Sequence, residues 1–254
     1  MLLAVDCGNT NIVFALYEGN IQRANWRIST NPSRSADEYL VWLTQLMALS
    51  GLGVDELSGM IIANVVPEVH SKLISLAQRG LNLKPQVVGD EEIDLGIKIN
   101  IDQPDQAGAD RLVNAVAARD LYDLPAIILD FGTATTFDVL IKNTYYGGII
   151  APGVRLSLNT LSDKATLIPK IDLKKINKVI GNNTISAVRS GFFWGYAGLI
   201  DNIINLIKKE TGKSFKVIIT GGFSNLFKNS IKTKASHNQD ITIKGLIKIS
   251  KLIK

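Results

Sequence analysis

A short pattern that occurs twice constrains this chain more than any other feature. Ala4-Val5-Asp6-Cys7-Gly8-Asn9-Thr10 and Ile128-Leu129-Asp130-Phe131-Gly132-Thr133-Ala134 both pass from apolar residues through Asp-x-Gly into small polar ones, with Asp6 and Asp130 separated by 124 positions in a chain of 254. Each copy leads into a second run rich in β-branched and aromatic residues, Ile12 to Tyr17 and Thr135 to Ile141. A third run follows in both, Ile21 to Ile28 and Tyr145 to Ala151, the latter broken by Pro152-Gly153. Asp-x-Gly alone is a common turn, but matching strands on both sides set this repeat apart. A chain built this way is expected to fold as two related halves. Each would open with an antiparallel meander and continue with helices and parallel strands, leaving a cleft where the halves meet.

Between the copies, Ser35-Ala36-Asp37-Glu38 has the Ser-x-x-Glu form of a capping box, predicting a helix from Ala36 to about Leu49 with Leu40, Leu43 and Met47 on one face. A strand at Met60 to Val66, a Pro67-initiated helix to about Arg79 and a strand at Gln86 to Val88 follow. Such alternation is the pattern of an α/β fold, and the expected division is 1–120 and 121–254.

Composition narrows the class. With 46% hydrophobic and 20% charged residues, the chain can bury a sizeable core, which excludes disordered, collagenous and disulfide-framed proteins. Its single cysteine, Cys7, cannot form an internal bridge, and no charged-then-apolar leader precedes the first strand, so a soluble cytoplasmic protein is expected. No window approaches the roughly 18 apolar residues of a membrane span; Gly191 to Ile207 is interrupted by Asp201, Asn202 and Asn205. Charge is uneven, +12 over residues 170–254 against −7 over 1–169. The cations are scattered, mostly lysine (among them Lys244, Lys248, Lys251 and Lys254), and not interleaved with aromatics. They read as solvated faces, and nucleic acid is not an expected partner.

A turn of Gly, Asn and Thr between strands offers backbone N–H groups and hydroxyls to an anion, and two such turns can serve one polyphosphate. Asp6 and Asp130 beside them are costly at the ends of apolar strands unless a cation or hydrogen bonds hold them. The plainer reading makes each a turn cap bonding its own backbone; the pairing, with the polar run Thr133 to Thr136, favours metal and nucleotide. Thr220-Gly221-Gly222 follows the strand Val217 to Ile219, with a helix starting at Ser224, a corner whose flat backbone suits a nucleoside base. Neither a P-loop nor a dinucleotide fingerprint is present. Gly108-Ala109-Asp110-Arg111 opens a helix, where Asp110 is either a cap or a base for a substrate hydroxyl, with Arg111 gripping a substrate carboxylate. His70, in a helix pattern, and His237, in a polar loop, do not make a zinc site.

These motifs, in order along nearly the whole chain, resemble the type III pantothenate kinases: Leu3 to Val13, Gly108 to Arg111 with Val113 to Ala118, Asp130 to Phe137, Gly147 to Gly153, Gly181 to Gly191 and Thr220-Gly221-Gly222. The resemblance implies the acetate and sugar kinase, heat-shock protein 70 and actin superfamily, with two RNase H-like lobes and the active site between them. It implies transfer of the ATP γ-phosphoryl group to the primary hydroxyl of pantothenate, the first step toward coenzyme A. It carries Asp6, Cys7, Gly8, Asn9, Thr10, Asn11, Ile12, Val13 and Thr133 over as ATP-binding residues and Asp110 as the proton acceptor. Ile101, Gly108, Ala109, Asp110, Arg111 and Thr184 take pantothenate, and Asp130 holds a monovalent cation, potassium or ammonium, with magnesium accompanying the nucleotide. Ile101 departs from the pattern, since relatives usually have an aromatic residue three positions before Pro104. The resemblance further implies a homodimer. Phe192, Phe193, Trp194 and Tyr196, in the helix after Thr184, suit its interface or the core of one subunit equally. The alternatives are a non-catalytic regulator of the same fold, binding nucleic acid or a protein, and a kinase for another hydroxy acid.

Overall fold

The computed structural model describes residues 1–252 and divides the chain into two compact units. The first comprises Met1–Asp120 and the helix that begins at Ile241; the second runs from Leu121 to Asp240. Lys254 lies outside the described residues.

In the first unit β1 (Leu2–Cys7), β2 (Asn11–Glu18) and β3 (Ile21–Ser29) form the antiparallel meander, while β4 (Gly59–Asn64) and β5 (Pro85–Val87) add in parallel, giving the order β3-β2-β1-β4-β5. Leu3, Val5 and Cys7 of β1 face the core, where α1 (Ala36–Leu49) delivers Tyr39, Leu43 and Met47 and α2 (Pro67–Ser75) delivers Val69 and Leu73. Asp6, by strand alternation, faces the other way. The capping box of α1 forms with both bonds: Ser35 Oγ accepts from Glu38 N at 3.2 Å, and Glu38 Oε2 accepts from Ser35 N at 2.7 Å. Such a cap contributes about 1 kcal/mol. After the short strand β6 (Lys98–Ile99) and the tight turn Pro104–Gln106, α3 (Ala109–Leu121) buries Leu112, Val113, Val116 and Ala117.

The second unit repeats the plan. β7 (Ala126–Phe131), β8 (Ala134–Ile141) and β9 (Thr144–Pro152) are the meander, and β10 (Lys216–Gly221) and β11 (Ala235–His237) add in parallel, so the order β9-β8-β7-β10-β11 reproduces that of the first unit. Its core packs Ile127, Leu129 and Phe131 against the long α5 (Thr184–Thr211). α4 (Val154–Lys164) and the four-residue α6 (Ser224–Phe227) complete the unit.

Three details differ from the expectations. His237 belongs to β11 rather than a loop, with Nε2 at 2.9 Å from Ser224 Oγ. The aromatics of α5 separate: Phe193 is fully buried and stacks on Phe227 at 5.6 Å, while Trp194 is 36% exposed. The second unit ends at Asp240 instead of running to the end of the chain, because α7 (Ile241–Leu252) returns to the first. There Thr242 Oγ1 donates to Asn114 Oδ1 of α3 at 2.8 Å, and Gly245 sits so close that a Cβ would stand 2.3 Å from the Val113 carbonyl oxygen. Among the described residues no helix is long and apolar enough to cross a membrane.

Candidate active site

In the first unit, the turn after β1 is held from the far strand of its meander. Gly8 N–H donates to Asn11 O at 3.0 Å. Thr30, just beyond β3, binds both arms: its hydroxyl donates to Gly8 O at 2.6 Å and its N–H to Thr10 O at 3.0 Å. Asn9 and Thr10 stay exposed at the tip, whereas Ile12 is buried in the core and Val13 lies beside Asp6 on the opposite face. Ile12, with no exposed surface, supports the turn from the core side. The Cys7 thiol, pushed up to about 12 by burial and then by the Asp6 charge, is not a thiolate nucleophile.

Asp6 carries the electrostatic load of this turn. Burial, and next the charge of Asp110, push its carboxyl up to about 7, and the Arg27 guanidinium opposes the rise. Two carboxylates close enough to feel each other's charge in poorly solvated surroundings favour a shared proton or a bound cation. Asp110 stands in the first turn of α3, where Gly108 O accepts from Arg111 N and Leu112 N at 3.0 and 3.1 Å. Its Oδ1 accepts from Arg111 N at 2.8 Å, so the capping reading holds in part. Burial raises its pKa as well, against that bond and the Arg111 charge, moving a carboxylate toward the range of a general base. Gly108 makes room for it: a Cβ there would sit 2.7 Å from Asp110 Oδ1. Ile101 is half-buried in the loop before Pro104–Gln106.

In the second unit, Asp130 is the register equivalent of Asp6, paired with Thr136 on one side and Thr220 on the other. Its turn, Gly132-Thr133, is exposed and fixed by close approach. Gly153, at the N-terminus of α4, lies so near that a Cβ would come within 1.9 Å of Thr133 O. Gly221, at φ +85°, would place a Cβ 2.3 Å from Asp130 Oδ1. The glycine corner singled out for a nucleoside base therefore also presses on the Asp130 carboxylate. Its carbonyl is held by Ser224 Oγ at 2.6 Å and Gln239 Nε2 at 3.3 Å. Thr184 stands exposed as the first residue of α5, capped by Asn183, whose side chain accepts from Ser186 N at 2.9 Å.

The structure thus joins Asp6, the first turn and Asp110 in one unit, and Asp130, Thr133 and the Gly221 corner in the other. Thr30, Gly153 and the Arg27 charge escaped the sequence reading. A threonine following a β-strand gives no sign that it will straddle a turn about 20 residues back in the chain. Pro152-Gly153 read as a strand terminator and the end of a family motif, with no sign that Gly153 meets Thr133.

A sequence model of the type III pantothenate kinase family matches residues 2–206. A type III pantothenate kinase of Paramagnetospirillum magneticum is 48% identical over 98% of this chain and 96% of its own. Among solved structures, a Campylobacter jejuni protein described as a Baf family transcriptional activator superposes with a TM-score of 0.62 at 20% identity, covering 98% of both chains. A protein of Sinorhizobium meliloti described as a 2-dehydro-3-deoxygalactonokinase gives 0.62 at 12% identity, over 100% of this chain and 99% of its own. Likeness at such identities shows a shared fold and nothing finer.

Proposed function

The chain belongs to the type III pantothenate kinase family, and on that premise we propose how its own residues divide the work of the reaction. The enzyme transfers the γ-phosphoryl group of ATP to pantothenate in coenzyme A biosynthesis. Phosphoryl transfer demands alignment and charge neutralisation more than covalent chemistry, and its loose transition state spreads charge over the phosphoryl oxygens.

Asp110 accepts the proton of the primary hydroxyl as that oxygen bonds to the γ-phosphorus and the bond to the ADP oxygen breaks. The observation that carries this assignment is the place of Asp110, half-buried in the first turn of α3, where its charge acts on the carboxyl of Asp6 beside the first turn. Gly108, Ala109 and Arg111 line the pantothenate site beside the base, with Arg111 offering forked donors to its carboxylate. Ile101 packs against the same substrate where relatives offer an aromatic ring, and Thr184 contacts it as well. The backbone from Asp6 to Val13 cradles phosphate, Gly8 permitting close approach, and Thr133 contacts ATP.

Kinases of this family use a divalent metal with the nucleotide. The hard oxygen of Asp6, whose charge is poorly compensated in this fold, suits magnesium, which would neutralise phosphate charge there. Asp130, among the oxygens of its glycine turn, suits a monovalent cation, potassium or ammonium. The enzyme works as a homodimer in the cytoplasm, and the partly exposed aromatic face of α5 around Trp194 supports the dimer.

A coupled assay of ADP release over a panel of small hydroxy acids, with ATP, magnesium and potassium, tests the reading. Pantothenate is expected to be the preferred acceptor. Turnover of another hydroxy acid in its place would overturn the substrate, and equal rates in sodium and potassium would remove the cation from Asp130.

A further inference from the structure

Arg27 is the charged group near the first turn to which no role has yet been given. On β3, Trp26 and Ile28 pack against the core, while Arg27 is exposed on the opposite face. The strand register pairs Asp6 with Val13 and Val13 with Arg27, so the three form one row across β1, β2 and β3 and share a face. At about 4.8 Å between strands, the Cα of Arg27 stands about 10 Å from that of Asp6, a gap that an extended arginine largely spans. Its charge reaches the Asp6 carboxyl, which it holds down against burial. Among the described residues no ion pair or side-chain hydrogen bond engages Arg27, whereas Arg23 on the same strand pairs with Glu18 at 3.4 Å.

β2, the strand between Arg27 and Asp6, carries the returning arm of the turn, and Thr30 ties the end of β3 to that turn. An anion cradled by the turn beside Asp6 therefore lies near a guanidinium that makes no ion pair or side-chain hydrogen bond among the described residues. We propose that Arg27 is a catalytic residue of the phosphoryl transfer, its forked N–H donors binding the γ-phosphoryl oxygens as they take up charge. The assignment rests on the reading of the first turn as the phosphate site. Planar, permanently charged and weakly hydrated, a guanidinium suits this task better than an ammonium. Because β3 projects it from the sheet edge, it can follow the transferring group without disturbing the core.

Arg27→Gln, Arg27→Lys and Asp6→Asn proteins test this by titration calorimetry with magnesium and the non-hydrolysable analogue AMP-PNP, with ADP, and with pantothenate, alongside steady-state rates. Arg27→Gln is expected to lower kcat about 100-fold or more, in the range seen when a transition-state charge donor is removed. Its AMP-PNP affinity should fall about 10-fold, the difference that one charge-assisted contact makes, with ADP and pantothenate affinities unchanged and Arg27→Lys recovering part of the rate. Lost pantothenate binding with intact AMP-PNP binding would reassign Arg27 to the acceptor's carboxylate and overturn the proposal. Unchanged rates and affinities, with only the stability of the unliganded protein altered, would reduce it to a counter-charge for Asp6. If Asp6→Asn also left AMP-PNP affinity untouched, the phosphate-turn reading itself would fail, separately from Arg27.

Discussion

The two Asp-x-Gly turns occupy the same position in two sheets of the same strand order, yet different forces hold them. The first is braced by hydrogen bonds from Thr30 and loaded electrostatically, the charge of Asp110 acting on the carboxyl of Asp6. The second is wedged sterically, Gly153 against Thr133 O and Gly221 against Asp130 Oδ1. It also closes one residue sooner: Cys7 pairs with Ile12 in the first hairpin, Phe131 with Thr135 in the second. A duplicated backbone plan therefore leaves room for two chemistries. A turn held by hydrogen bonds keeps open backbone for an incoming phosphate, and a turn locked by packing keeps one carboxylate in one place.

The sharpest way to break this contrast is Asp6→Asn. Turnover should fall about 10³-fold, within the range for loss of a preorganised charge at a transferring phosphoryl group. The unliganded protein should nevertheless become more stable at pH 8. The sign follows from the raised carboxyl: between its ordinary 3.8 and its folded value of about 7 the native state binds more protons than the unfolded one, so stability falls as pH rises through that window. Removing the group should gain up to about 4 kcal/mol above the window and almost nothing below it, read by urea unfolding at pH 3 and pH 8. A variant less stable at pH 8 would mean that Asp6 is a structural cap.

Glycine substitutions come next. Gly153→Ala and Gly221→Ala should each cost about 2–4 kcal/mol in the same assay, because backbone or the Asp130 carboxylate must move. Gly8→Ala should cost under about 0.5 kcal/mol, since its Cβ would meet Asn11 O at an ordinary 3.4 Å, while still raising the KM for ATP. Equal losses at all three glycines would erase the distinction between the turns. Thr30→Val acts on binding more than on turnover: it removes one neutral hydrogen bond worth about 1 kcal/mol and should raise the KM for ATP roughly fivefold with kcat little changed.

Much of this was legible in the sequence because the informative signals are local. Periodicity marks the six meander strands, Ser35 and Glu38 announce the cap of α1, and Asp-x-Gly marks both turns. Long-range placement has no such signal. The return of α7 to the first unit depends on Gly245 fitting against Val113, more than 130 residues away in the chain. The coupling of Asp6 to Asp110 likewise exists only once α3 is docked. The Gly221 corner was visible as a motif, but its contact with Asp130 follows from the β7–β10 register, which no spacing reveals. His237 was misplaced because β11 is only three residues long, too short for alternation to show.

The most direct test is phosphoryl transfer by Asp110→Asn, with nucleotide and pantothenate affinities measured on the same preparation. Loss of a positioned general base predicts a rate lowered by about 10²–10⁴ while ADP binds as it does to the unaltered enzyme. An Asp110→Asn protein that phosphorylates pantothenate at the normal rate would contradict the assignment on which the site is built.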